Sequence, residues 1–161
     1  MSAHEVGRSA AAGALLELGT ALEPASYATS TVLVFRYSAA TWNTHRIHYD
    51  KAYALAEGYP DVLVQSHLHG AFLARYATDW AGEDGRLTEL GLRVRRFAIA
   101  GETLIVAGVV SALDRLGDDR AAVTLELTAT RGSDLETVVI GTARIEVPIA
   151  WLADIGREAP A

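Results

Sequence analysis

Four large apolar residues, Leu68, Phe72, Tyr76 and Trp80, recur every four positions, with Ala71 beside them. That spacing predicts a helix with a single apolar stripe. From Arg86 onward the period changes to two. Leu90, Leu92 and Val94 alternate with polar or small residues, and Val123, Leu125 and Leu127 alternate with Thr124, Glu126 and Thr128. Val139, Gly141, Ala143, Ile145 and Val147 share one face, while Arg144 and Glu146 point away. The run Thr103–Val110 is almost uniformly apolar, as in a strand buried on both faces. Gly117-Asp118-Asp119 and Gly132-Ser133-Asp134 read as hairpin turns. One long helix followed by a meander of four strands restricts the chain to an α+β layout: a mainly antiparallel sheet with helix on one face.

Upstream the signals are shorter. Residues 1–14 read as a loose, Ala-rich leader, Leu15–Leu22 as a first short strand, and Pro24–Ser30 as a connector. Ser30 or Thr31 can cap a helix from Val32 to about Trp42. Asn43–Asp50 has no clear period and reads as a loop. Lys51–Ala56 reads as a short helix stopped by Gly58 and Pro60. Ser66 is the expected N-cap of the central helix, and Gly82 and Gly85 end it. Pro148 closes the last strand, and Ile149–Ala161 is expected to fray. The 161 residues make one domain, with a core over about 15–148.

Composition removes several classes. A net charge of −6 argues against nucleic acid as the main partner, because a phosphate-binding face needs clustered Lys and Arg. The chain has no cysteine, which excludes disulfides and thiolate metal sites. No apolar run approaches the roughly 20 residues that span a bilayer, and the first residues make a poor signal peptide. The expectation is a soluble cytoplasmic protein. Half of its residues are hydrophobic and its mean hydropathy is +0.17, which points to apolar surface hidden in an oligomer.

The chemistry concentrates between the two early helices. Asn43-Thr44-His45-Arg46-Ile47-His48-Tyr49-Asp50 places two of the five histidines three apart, beside a carboxamide and a carboxylate. General acid–base work on a small substrate requires such groups. His48 suits a proton-transfer role because an imidazole titrates near neutrality; its plainer role is a loop histidine satisfied by a backbone carbonyl. Asn43 cannot act as a base. It either orients water or substrate through its amide or closes the preceding helix. Asp50 either holds His48 or caps the next helix, and the cap is favoured. His45 either supplies a second donor or is a plain loop residue, and Arg46 beside it, which suggests a partly solvated loop, favours the plain role. His67 and His69 are two apart and face different sides of a helix, so they do not form a metal pair. Arg93, Arg95 and Arg96 either meet phosphates or form a solvated strand face.

The loop resembles that of the MaoC-like (R)-specific enoyl-CoA hydratases, whose pattern is Asp-x-Asn-Pro-(Ile/Leu)-His followed two residues later by Asp. His48 falls on that family's catalytic His; Asn43 falls on its catalytic Asp and is a substitution. The wording Tyr37-Ser38-Ala39, Asn43 to Asp50 and Glu57-Gly58-Tyr59-Pro60 is similar to the mesaconyl-CoA hydratase and 3-hydroxyacyl-thioester dehydratase branch. Ala74–Gly82 followed by Leu90-Gly91-Leu92-Arg93 is similar to the small MaoC-like subunits of actinobacterial steroid side-chain hydratases, which work with another hotdog chain.

The resemblance, over roughly residues 30–147, implies a hotdog fold, a sheet wrapped around a long central helix. It implies a hydro-lyase that reversibly adds water to a 2-enoyl thioester. His48 is then the acid–base, Asn43 orients, and Asp50 and His45 stand behind them. The backbone of Gln65, Ser66 and His67 at a helix N-terminus receives the thioester oxyanion, and Leu68 and Phe72 wall the pocket. The family has His-Gly-(Pro or Met) where this chain has Gln65-Ser66-His67. No metal or redox cofactor is expected; coenzyme A or acyl carrier protein belongs to the substrate. The expected assembly is a homodimer or a hetero-oligomer with another hotdog chain. The rivals are an acyl-thioesterase on the same fold and a non-catalytic subunit of a hetero-oligomeric hydratase.

Overall fold

A strand forms where the sequence suggests a connector. In the computed structural model, which describes residues 15–152, strand β1 runs Ala21–Ala28, straight through Pro24. The strand expected over Leu15–Leu22 overlaps it by two residues only. β1 lies at a sheet edge, where a proline has no outward N–H to leave unpaired. The pairing register shifts between Leu22 and Ala25, so Pro24 sits in an irregularity of the ladder. The leader over 1–14 and the tail beyond Leu152 lie outside the described residues.

Helix α1 spans Thr31–Ala40, with Ser30 as its cap: the Ser30 Oγ accepts from the Leu33 N–H at 3.1 Å. It stops two residues short of Trp42, whose φ of 56° breaks the helical path. The Asn43 N–H then closes on the Ser38 carbonyl at 2.9 Å, a left-handed helix end. The loop that follows contains one 3₁₀ turn, Arg46–His48. Helix α2, Lys51–Ala56, forms as expected, and Gly58 follows it in the left-handed region at φ 87°.

Helix α3, Ser66–Ala81, is the central element. Its cap is Gln65 and not Ser66, which is the first helical residue. Gln65 has the extended backbone of a cap, but its side chain makes no capping bond because its amide is engaged elsewhere. Gly82 ends the helix at φ 61°.

Strands β2 (Arg86–Val94), β3 (Thr103–Arg115), β4 (Arg120–Arg131) and β5 (Thr137–Pro148) complete a five-stranded antiparallel sheet in the order β1-β3-β4-β5-β2. Only β3, β4 and β5 form a meander. β2 pairs with β5 at the far edge, because no tight turn joins it to β3. Residues 95–102 instead cross to the segment before α3: the Val64 N–H donates to the Ala98 carbonyl, the Ala100 N–H donates to the Val62 carbonyl, and Leu63 bridges Ile99.

β3 is not buried on both faces. Leu104, Val106 and Val110 are at most 1% exposed, whereas Val109 on the other face is 41% exposed. Its apolar run reflects one core face and one half-open face. The core lies between α3 and the sheet, with Leu73, Leu125, Val139 and Ile145 fully enclosed. Close approach depends on two glycines. A Cβ on Gly141 would meet the Leu73 side chain at 2.9 Å, and one on Gly108 would meet the Tyr76 ring at 3.1 Å. The sheet therefore wraps the helix as the hotdog layout requires. Ile149–Trp151 do not fray: they form a 3₁₀ turn, Trp151 packs edge-on against Trp80 at 5.9 Å, and Leu152 bridges Leu16. Among the described residues no helix is long and apolar enough to cross a membrane.

Candidate active site

The 3₁₀ turn places His48 against the segment that leads into α3. The Leu63 N–H donates to the Ile47 carbonyl at 2.9 Å, and His48 Nδ1 lies 2.9 Å from the Leu63 carbonyl. A carbonyl only accepts, so Nδ1 carries the proton and Nε2 keeps its lone pair in the neutral ring. The ring is half-buried. Burial pushes its pKa below the usual 6.5; the Leu63 carbonyl opposes that shift and nearby His45 adds to it. At neutral pH His48 is thus an uncharged base with a fixed tautomer.

Asn43 takes up the turn role. Its backbone closes α1, and its Oδ1 accepts from the His45 N–H at 3.1 Å. The carboxamide Nδ2 remains as the donating end. His45 Nδ1 accepts from the Ile47 N–H at 3.4 Å, and its ring stands 6.0 Å from that of His48. Asp50 caps α2, accepting from the Tyr53 N–H at 3.0 Å, and pairs with Arg46 at 2.6 Å. The Arg46 hydrogen bond holds the Asp50 carboxyl below the usual range. Arg46 also lies over the Tyr53 ring at 4.5 Å. Asp50 therefore braces the loop from its own side and does not hold His48 directly.

Leu63, whose carbonyl anchors His48, stands three residues before Ser66, so the imidazole and the N-terminus of α3 belong to one stretch of chain. Ser66 and His67 are exposed there. As the first helical residues their N–H groups precede the internal ladder, which begins with Leu68 and His69 donating to the Gln65 carbonyl. Gln65 differs from its neighbours. It is 1% exposed, and its Nε2 donates to the Val34 carbonyl at 2.7 Å and to Ser38 Oγ at 2.8 Å. Its side chain thus ties α3 to α1, the helix whose C-terminal end the Asn43 N–H closes.

Leu68 and Phe72, expected as pocket walls, are 3% and 9% exposed, and Phe72 stacks on Tyr27 at 5.0 Å. Two surface concavities, of about 370 and 340 Å³, include none of His48, Leu68 or Phe72. Among the described residues no group of three or more His, Cys, Asp or Glu is placed to hold a metal ion. His67 is exposed and His69 is 2% exposed, facing different sides as their spacing requires.

Two features escape the sequence reading. One is the anchor itself, a backbone carbonyl that has no side-chain signature. The other is a buried polar face on α3. Among the described residues Gln65 Oε1 and both ring nitrogens of His69 are enclosed without a hydrogen-bond partner, and burial pushes the His69 pKa down to about 4. The i,i+4 spacing of Gln65 and His69 could have indicated this face.

The comparisons with known proteins bear on this stretch. A mesaconyl-C(4)-CoA hydratase of Chloroflexus aurantiacus is 50% identical over 46 residues, 28% of this chain and 16% of that protein. The 3-oxo-4,17-pregnadiene-20-carboxyl-CoA hydratase beta subunit of Mycobacterium tuberculosis is 32% identical over 75 residues, 47% of this chain and 58% of that subunit. The chain thus spans less than two thirds of either relative. In the ChsH1-ChsH2 complex from Mycobacterium tuberculosis, one chain superposes with a TM-score of 0.72 at 23% identity, covering 83% of this chain and 99% of that one. That likeness shows the hotdog fold. The sequence profile of the hydroxyacyl-thioester dehydratase type 2 family matches residues 17–98, just over half of the chain and the whole of the His48 loop with its anchor. The chain therefore belongs to the hydroxyacyl-thioester dehydratase type 2 family.

Proposed function

We propose that this chain is a hydro-lyase that reversibly adds water to a 2-enoyl thioester, and equally removes it from a 3-hydroxyacyl thioester. One observation carries the reading: a half-buried neutral imidazole, fixed in one tautomer by the Leu63 carbonyl, three residues from the start of the central helix. In the hydration direction His48 Nε2 takes a proton from water as its oxygen bonds to the β-carbon. The resulting imidazolium returns a proton to the α-carbon. Negative charge grows meanwhile on the thioester oxygen, and the N–H groups of Ser66 and His67, with the helix dipole behind them, stabilise it. Asn43 Nδ2 orients the water. The acyl chain lies along the Leu68 and Phe72 side of α3.

In its natural setting the chain acts within an assembly containing a second hotdog chain, as a homodimer or beside a different subunit. Support comes from its relatives, one a hydratase beta subunit and one a chain of a two-protein complex. A second reading, a subunit that builds part of a partner's site, is favoured by Asn43 standing where the resembled pattern has Asp.

The test is His48→Ala, followed by 2-enoyl absorbance in the chain alone and with any co-purifying partner. General acid–base catalysis predicts a loss of roughly 100- to 10,000-fold. An unchanged rate in every preparation assigns the catalysis to the partner, and release of free coenzyme A thiol in place of an absorbance change identifies a thioesterase.

A further inference from the structure

Helix α1 meets the core through a narrow face. Its buried residues are Val34 and Ser38, one turn apart. The Gln65 amide takes one group from each: Nε2 donates to the Val34 carbonyl at 2.7 Å and to Ser38 Oγ at 2.8 Å. A carbonyl only accepts, so the amide sits one way round, with Nε2 toward α1. Oε1 is then enclosed with no protein partner among the described residues. An apolar side chain of similar length would fill the place without burying that oxygen, so packing alone does not call for glutamine.

The contacts run on into the loop. The Asn43 N–H donates to the Ser38 carbonyl at 2.9 Å, and Asn43 Oδ1 accepts from the His45 N–H at 3.1 Å. At the other end of the loop, His48 Nδ1 donates to the Leu63 carbonyl at 2.9 Å. Leu63 thus fixes the histidine end of the loop by its backbone, and Gln65 fixes the asparagine end by its side chain. Ser66, the next residue, opens α3.

We infer that the Gln65 side chain is a positioning residue for the proposed hydration, acting through Ser38 to hold the Asn43 amide in place relative to His48 and the N-terminus of α3. The inference rests on the hydratase reading. It concerns the side chain alone, because substitutions at Gln65 leave its backbone N–H in place. Asn43 orients the water and not the thioester, so the effect belongs to kcat and not to KM.

Gln65→Met keeps the length of the side chain and removes its donors. In the chain with any co-purifying partner, kcat for a 2-enoyl thioester should fall by roughly 100-fold, the cost of a misplacement of about 1 Å, with KM unchanged. The acid limb of the pH profile should stay in place, because Leu63 and not Gln65 holds His48. A general loosening would instead expose the ring and move that limb up. In an Asn43→Ala background Gln65→Met should cost nothing more. Additive losses, a retained kcat, a change confined to KM or a displaced limb each overturn the inference. If Gln65→Met fails to fold, Ser38→Ala removes one of the two acceptors and decides by the same cycle, with a smaller loss of kcat. The Asn43 carboxamide reports without catalysis. Its proton pair in the NMR spectrum, assigned by its absence from Asn43→Ala, should move toward the random-coil position in Gln65→Met. An unmoved pair overturns the inference whether or not any thioester is hydrated. If nothing is hydrated yet the pair moves, the tether to Asn43 stands and the hydratase reading falls.

Discussion

His48 and Asn43 show how little separates a structural turn from a working site. The Leu63 carbonyl that satisfies His48 also removes the choice of tautomer. Because burial holds the imidazole below 6.5, its uncharged form prevails at neutral pH, and protonation as pH falls through the folded pKa removes the base. The hydration rate should therefore decline on the acid side with an apparent pKa below about 6.5. In the proposed site Asn43→Asp sets a carboxylate facing the ring, which favours the imidazolium and moves that limb to higher pH. A profile recorded over pH 5–9 for both proteins checks the direction, and a limb that moves down contradicts it. At this scale the sequence exposes side chains and hides their partners. His48 and Asn43 stand out by spacing; the Leu63 anchor and the Gln65 tether do not, since one is backbone and the other a polar side chain in a core that patterning treats as apolar.

Among the elements, α3 was legible because Leu68, Phe72 and Tyr76 bury one stripe at helical spacing, with Trp80 half-buried at its end. β4 and β5 were legible because one face of each is closed. β1 was hidden by Pro24, whose tolerance depends on edge position, a property of the whole sheet. Strand order was hidden for the same reason: the link from β2 to β3 is decided by pairing between residues 98–100 and 62–64, far apart in the chain. Gln65, not Ser66, caps α3. As first helical residue, Ser66 occupies the position proline favours, so Ser66→Pro should preserve the helix while deleting one N–H. If that donor faces the oxyanion, the rate falls by about 100- to 1000-fold, the usual cost of one such donor. Circular dichroism verifies the helix, and a folded variant with full activity assigns the oxyanion to His67 and Gln65.

For the whole molecule, surface apolarity decides. Trp42 is 86% exposed, Phe35 57%, Val109 41% and Leu92 39%. Trp42 also holds a left-handed backbone that a bulky residue adopts at a cost of about 1–2 kcal/mol. Light scattering at micromolar concentration should find an assembly larger than one chain; a stable monomer refutes that expectation. The two margins of the sheet set how such an assembly can grow. β1 carries Pro24, whereas the nine residues of β2 hold no proline and, among the described residues, leave a margin without a strand beyond it. A ribbon blunt at one side and open at the other can be lengthened once by a like neighbour meeting it open side to open side, and both free sides are then blunt. Growth by that route closes at two and cannot run on into a fibre.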